Sequence, residues 1–174
     1  MRHTNYKMRD TKYAFTLVEI LIVVAIIGIL AAIVLPTLKG HIQQAKESAA
    51  KDDLRILRNV IELYAAQHNG FPPGYVNGTP NTMPSVVTKQ FYWASNSLGQ
   101  TNSESTVVYN LGPYLPAIPK NPFNNINTLQ VLNATTQFPE PPTGTFGWTY
   151  KPSTKTIRLN YPGTDSKGGR YYDY

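Results

Sequence analysis

From Phe15 to Leu35 the chain runs FTLVEILIVVAIIGILAAIVL, twenty-one residues with one charge, Glu19. This is about the length a helix needs to cross the hydrocarbon core of a bilayer, so the stretch predicts a membrane-spanning helix. Arg2, Lys7, Arg9 and Lys12 precede it. The positive-inside rule then keeps the N-terminus in the cytoplasm and sends the part after the run across the membrane. A cleaved secretory signal would share the basic start and the apolar run, with Ile29-Leu30-Ala31 as a weak cleavage site. Two features oppose that reading. A carboxylate inside such a run costs about 2.5 to 3.5 kcal/mol on insertion scales, so a sequence selected only for export has no use for Glu19. The run also continues without a polar break into a stripe of Leu38, Ile42, Ala45, Ala49, Ile56, Val60 and Tyr64, at helical spacings.

Together, Phe15 to about His68 predicts one helix of roughly 80 Å, apolar all round in its first half and striped in its second. Gly28 and Pro36 are its weak points, because glycine lowers helix propensity and proline removes a backbone donor. Local unwinding is expected between them. Asn69-Gly70 followed by Pro72-Pro73 supplies the stop.

The rest of the 174 residues suffices for a single modest domain. With no cysteine, disulfides, thiolate metal sites and a catalytic thiol are excluded, while the compartment stays open. The net charge is +6, but the first fourteen residues hold four cations and one anion, which leaves +3 from Phe15 onward. Lys151, Lys155, Arg158, Lys167 and Arg170 form only a loose basic group, read as solvated surface; nucleic acid is not an expected partner. No enzyme is expected. His41 and His68 lie too far apart along the long helix to share a site. Glu104, Glu140, Asp165 and Asp173 have no diagnostic spacing, and no phosphate loop or nucleophile elbow is present.

Prolines and glycines after residue 70 argue against a further long helix. Thr145–Tyr150 and Thr156–Tyr161 alternate in hydrophobicity around Lys151-Pro152-Ser153-Thr154-Lys155, which predicts a β-hairpin. Phe146, Trp148 and Tyr150 share one face, as do Ile157, Leu159 and Tyr161, and these rows are expected to cover the second half of the helix. Ser85–Trp93 and Thr106–Tyr109 fit either strand or short helix. Gly112–Phe123 carries too many prolines for a central strand or a helix interior and predicts a rigid loop. The expected fold class is α+β: a long N-terminal helix packed on a small antiparallel β-sheet with ordered loops. The basic residues 1–14 are expected to precede a transmembrane helix at 15–36 and an extracytoplasmic head at 37–174.

The segment KYA-FTLVEILIVVAIIGILAAIVLP resembles the class III signal of type IV pilins and type II secretion pseudopilins. The shared features are the basic leader, the small residue Ala14, Phe15 as the new N-terminus, Glu19 at the fifth mature position, Gly28 and Pro36. The resemblance implies a pilin fold and a prepilin peptidase that cuts between Ala14 and Phe15 and N-methylates Phe15. Ala14 stands where the family usually has glycine, the mildest such change. Filament assembly then falls to Phe15, Glu19, Gly28 and Pro36: the α-ammonium of an incoming Phe15 pairs with a neighbour's Glu19 at low dielectric. The bland reading of Glu19 is a charge snorkelling to the headgroups.

GPYLPAIPKNPFN resembles the GPYL…LPKDPWGN segment of major pseudopilins of type II secretion, and LYAAQHNGFPPG resembles their helix-ending segment. The implied function is the structural subunit of a homo-oligomeric helical pseudopilus that drives protein export across the outer membrane. Its implied partners are an inner-membrane assembly platform and minor pseudopilins. The alternative is a major or minor type IV pilin of a surface pilus for adhesion, motility or DNA uptake. An adhesive or DNA-uptake subunit would expose Tyr171, Tyr172, Tyr174 and nearby cations as a patch, whereas the favoured reading packs these tyrosines against the sheet or a neighbouring subunit. Either product starts as a single-pass inner-membrane protein. Those pseudopilins bind calcium in a loop near the C-terminus, where Pro162–Gly169 offers one carboxylate, Asp165, beside a lysine. Calcium takes six to eight oxygens, so no cofactor is expected, with Asp165 and Asp173 as the calcium candidates.

Overall fold

Helix α1 (Leu17–Gln67) begins where Thr16 supplies a cap, its Oγ1 accepting the Glu19 N–H at 3.1 Å. Thr16-Leu17-Val18-Glu19 has the spacing of a capping box. It ends where Asn69 turns left-handed (φ 54°), as does Gly70 (φ 86°), and the Gly70 N–H returns to the Ala65 carbonyl at 2.8 Å. That six-to-one bond is a Schellman closure. The computed structural model describes residues 15–174, so the leader and the expected cut at Ala14 lie outside the described residues, as do the side chains of 35–39, including Pro36 and Leu38. Helical backbone continues across Gly28–Pro36, and the expected unwinding does not occur. A single proline removes one backbone bond, and the bonds on either side of it hold the turn.

Two compact units divide the chain, one ending at Ile42 and one spanning Gln43–Tyr174. In the first, every described side chain from Phe15 to Val34 is exposed. In the second, α1 buries Glu47, Ala50, Leu54, Leu57, Val60, Ile61, Tyr64, and Ala65 at three- and four-residue spacings, and His68 is buried just beyond its end. The predicted stripe therefore needs correction. Val60 and Tyr64 are buried, but Ile42 and Ile56 are 56% and 43% exposed, and Ala45 and Ala49 face solvent. Alanine is nearly neutral between faces, and Ile56 stands one residue, about 100° of helix, from the Leu57 that the core takes.

After α1 come a two-stranded ladder of β1 (Tyr75–Val76) and β2 (Thr79–Pro80), helix α2 (Pro84–Tyr92), and a second ladder of β3 (Ala94–Ser95) and β4 (Thr101–Asn102). Ser85–Trp93, open between strand and helix in the sequence, is thus mostly helix, with Pro84 at its first turn where a missing donor costs nothing. Thr106–Tyr109 is neither, forming a hydrogen-bonded turn instead. The main sheet contains β5 (Leu129–Val131), β6 (Trp148–Lys151) and β7 (Thr156–Leu159). β6 and β7 form the antiparallel hairpin expected, closed by a 3₁₀ turn at Pro152–Thr154 and left-handed Lys155. β5 joins the other edge of β6 in parallel, which extends the expected sheet.

Trp148, Tyr150, Ile157 and Leu159 are fully buried and join Leu54, Leu57 and Ile61 in one core with Val87 and Phe91 of α2. Phe146 and Tyr161, placed in the same rows by the sequence, lie beyond the strand ends and are half-buried. The proline loop anchors this core through carbonyls, because Trp148 Nε1 donates to Pro119 O at 2.9 Å. Where the loop rejoins the sheet, Gly147 passes so close to Ile126 that an added Cβ would stand 2.1 Å from its carbonyl oxygen. The other face of β6 is closed by polar groups. Buried Asn160 donates from Nδ2 to Thr149 Oγ1 at 2.8 Å and Gln130 Oε1 at 2.9 Å. Buried Gln90 accepts from Gly74 N–H and donates to the carbonyls of Tyr75 and Gly99, at 2.7, 2.9 and 2.7 Å.

Candidate functional site

The candidate assembly segment is the apolar part of α1. Leu17–Val34 is an eighteen-residue window of mean hydropathy 3.2 with none of it buried, long and apolar enough to cross a membrane. Phe15 is 75% exposed at its start. Glu19 is exposed on the first helical turn, where a carboxylate also opposes the positive end of the helix dipole. Its backbone N–H is taken by Thr16, while its carboxylate forms no ion pair among the described residues. Among the described residues Gly28 has nothing within 4 Å of where a Cβ would be, which leaves that side of the helix open to a close neighbour. Thr16 escaped the sequence reading, although its position three residues before Glu19 is the capping-box signal.

The second candidate region is the C-terminal loop around Asp165. Asp165 Oδ1 accepts the N–H groups of Lys167 at 2.9 Å and Gly169 at 2.8 Å, and Oδ2 accepts the Tyr174 hydroxyl at 2.9 Å. The Tyr174 hydrogen bond is the main cause that lowers the Asp165 carboxyl below its ordinary value, with both amides and the charge of Lys51 adding to it. The opposite change follows for Tyr174, whose phenol is raised by desolvation and by that carboxylate. Glu47, 6% exposed on α1, grips the next residue: its Oε1 accepts Ser166 N–H and its Oε2 accepts Ser166 Oγ, each at 3.0 Å. A calcium ion fits this donor set poorly, since hydrogens of two amides and a phenol already point at the carboxylate where the ion would need oxygens. Asp173 faces Arg170 Nε at 3.5 Å. Among the described residues no group of three or more His, Asp and Glu side chains converges on one point.

Glu47 also escaped the sequence reading; its place three residues before Ala50, on the same face as Leu54 and Leu57, is the signal that marks it as inward-facing. The terminal tyrosines do not form the exposed patch weighed for an adhesive or DNA-uptake subunit; Tyr171 and Tyr172 pack inward, as the favoured reading expects. Tyr171 and Tyr172 are 3% and 1% exposed, and only Tyr174 is half-open. Tyr171 packs on Phe123 with ring centroids 4.2 Å apart. The basic residues beside them are not all solvated surface either. Lys151 is buried, donating to Thr136 O at 3.0 Å, and Arg158 lies over the ring of Phe138 at 4.5 Å. Lys155 pairs with Glu62 at 2.9 Å, and Arg170 pairs with Glu140. His41 is exposed, whereas His68 is buried against Tyr64, 3.6 Å between ring centroids, with Nε2 3.0 Å from Ser95 Oγ.

Comparison with known proteins agrees with the exposed helix and the head. Residues 9–35 match the model of the prokaryotic N-terminal methylation motif. The type II secretion system core protein G of Vibrio cholerae is 33% identical over 119 residues, 68% of this chain and 70% of that protein. The proteins of the same description from Aeromonas hydrophila and Pseudomonas aeruginosa are each 29% identical, covering 64% and 67% of this chain and 67% and 72% of theirs. No solved structure matches. Alignments of this length reach well past the apolar segment into the folded head, and the chain therefore belongs to the type II secretion system core protein G family.

Proposed function

We propose that this chain is the repeating subunit of a secretion pseudopilus and that it polymerises through Phe15–Pro36 to drive protein export across the outer membrane. The observation that carries the reading is the complete exposure of Leu17–Val34 around one internal carboxylate. An apolar surface of that length needs lipid before assembly and other copies of the same helix after it. Glu19 supplies the register: once the leader is cut between Ala14 and Phe15, the new α-ammonium of one subunit meets the Glu19 carboxylate of another in a low dielectric. N-methylation of Phe15 keeps that charge.

In this reading the chain enters the inner membrane with its basic N-terminus in the cytoplasm and its head outside. A prepilin peptidase processes it, and an inner-membrane platform adds it beneath minor pseudopilins. The folded head contributes structure rather than chemistry, and its C-terminal loop closes through Glu47, Asp165 and Tyr174 without calcium. The test is Glu19→Leu in cells carrying the secretion system. Processed subunit, with its new N-terminus checked by mass spectrometry, is expected in the membrane, while filament and secreted substrate are lost. Normal filaments from Glu19→Leu would refute the pairing.

A further inference from the structure

A polymer of identical subunits needs a knob and a hole on different parts of the same surface, because only such heterologous contacts propagate into an open helix. The head carries both. The knob is the segment after β4. Thr106 N–H donates to Tyr109 O at 3.0 Å, Tyr109 N–H donates to Thr106 Oγ1 at 3.2 Å, and Ser105 Oγ donates to Tyr109 O at 3.3 Å. This clamps the turn and leaves Val107 and Val108 at its tip, 95% and 63% exposed. Two β-branched side chains presented by a hydrogen-bonded turn lose little conformational freedom on docking.

The hole is a mostly apolar groove of about 590 Å³ between α2, the proline loop and β5, walled by Pro84, Tyr92, Pro116, Ala117, Leu129 and Phe146. Its volume is that of sites that take a small ligand or a few side chains. The exposure of Val107 means that the groove is not filled by the knob of its own chain. Charge completes the match. Lys89 lines the groove with its ammonium 4.6 Å from the centroid of the Trp93 ring, and it has no ion pair among the described residues. Glu104, three residues before Val107, is likewise exposed and outside the ion pairs of the described residues.

We propose that the Val107–Val108 turn of one subunit seats in the groove between α2 and the proline loop of the next, with Glu104 of the first beside Lys89 of the second. This rests on the polymer reading and adds to it a head-to-head contact that the apolar helix does not supply. Charge at the rim sets register, and the valines supply apolar burial.

The chain has no cysteine of its own, so disulfide trapping is clean. Full-length Val107→Cys and Ala117→Cys chains are co-expressed in cells that assemble the filament and are treated with a mild oxidant. A covalent dimer of one chain of each kind is expected, with a ladder of multiples from the doubly substituted chain and background from either alone. Filaments that assemble without the mixed dimer overturn the contact. So does trapping of the Ala117→Cys chain to a different protein, which would make the groove a site for another subunit or for cargo. In parallel, Val107→Asp is expected to lower filament yield about tenfold with the monomer melting unchanged; unchanged yield overturns the contact as well. If the unsubstituted chain enters no filament at all, the polymer reading falls, and this contact falls with it.

Discussion

Helix α1 contains two stretches of the same secondary structure and opposite circumstances. Along Leu17–Val34 every side chain is exposed, and apart from Glu19 the stretch is apolar on all sides. From Glu47 onward one face is buried and the other carries Lys51, Asp52, Arg55, Arg58 and Glu62 in the open. The second stretch is held by the sheet and α2 of its own chain, which is where most helical stability in proteins arises. The first has no such support among the described residues, and a bilayer or a bundle of like helices would favour its helix by leaving the backbone no other way to satisfy its hydrogen bonds. Under the proposed function one helix thus separates two tasks, with folding decided in its second stretch and assembly in its first.

The sharpest way to break that separation is a matched pair of truncations. Leu57→Ala empties a fully buried position and is expected to destabilise the head by about 2–5 kcal/mol, read as a lowered urea midpoint of the full-length chain in detergent. Ile27→Ala, at a 58% exposed position, is expected to leave that midpoint within about 0.5 kcal/mol while reducing filament yield. A large stability loss from Ile27→Ala would show that the two stretches are not separate. Next in size is Glu47→Ala, which strips Ser166 of both partners. Hydrogen bonds to a charged group are worth about 1.5–3 kcal/mol, so a loss in that range is expected, with faster trypsin cleavage at Lys167 and Arg170. Unchanged cleavage would mean that Glu47 does not hold the loop.

The sequence showed most clearly what depends on long runs or strict periods. Twenty-one nearly uncharged residues, an Asn-Gly stop, and two alternating rows of aromatic and aliphatic residues all mark elements that the structure contains. Short elements and mixed faces were not legible. β5 is three residues long, below any useful period, and its parallel pairing depends on residues about twenty positions away. α2 combines β-branched Val86 and Val87 with Gln90, so local preference and burial disagree. Gln90, Asn121 and Asn160 look like loop residues in a polar sequence, yet each is fully buried because loop carbonyls and amides converge on it. At the candidate assembly site the place of Glu19 as a lone exposed carboxylate in the apolar helix was readable, whereas the cap at Thr16 rests on a single side-chain bond that only the backbone geometry displays. At the C-terminal loop the count of carboxylates was readable, but the donors that occupy them were not, because Glu47 lies 119 residues from Ser166.

His68 tests the seam where α1 ends, with a smaller effect. Desolvation by burial holds its imidazole below the ordinary value of 6.5, against the raising influence of hydrogen bonds with the backbone of Tyr64 and Asn96. The unfolded chain therefore takes up a proton that the folded one resists. This contribution to stability is complete above about pH 6.5 and is lost as pH falls towards the lower folded value. Urea midpoints are expected to drop as pH falls from about 6.5 towards 5, and His68→Gln is expected to flatten that part of the profile. An equally steep drop in His68→Gln would assign the effect to other groups.

The smallest expected effect is the one that separates this head from a calcium-closed one. A bound ion stabilises the folded state by mass action, so a head that used calcium would melt higher in its presence and lower with chelator. In the proposed reading the loop closes without an ion, because the Asp165 carboxylate already accepts three hydrogen bonds and Asp173 faces Arg170. Full-length chain is expected to melt at the same temperature with calcium and with chelator. Asp165→Asn weakens the same closure without removing an ion, so its melting point is expected to fall equally under both conditions. A calcium-dependent rise in the unsubstituted chain, absent in Asp165→Asn, would instead make Asp165 a ligand. The head would then resemble the first stretch of α1 in needing something from outside the chain, and the contrast between a self-sufficient fold and a partner-dependent helix would narrow to the core beneath the sheet.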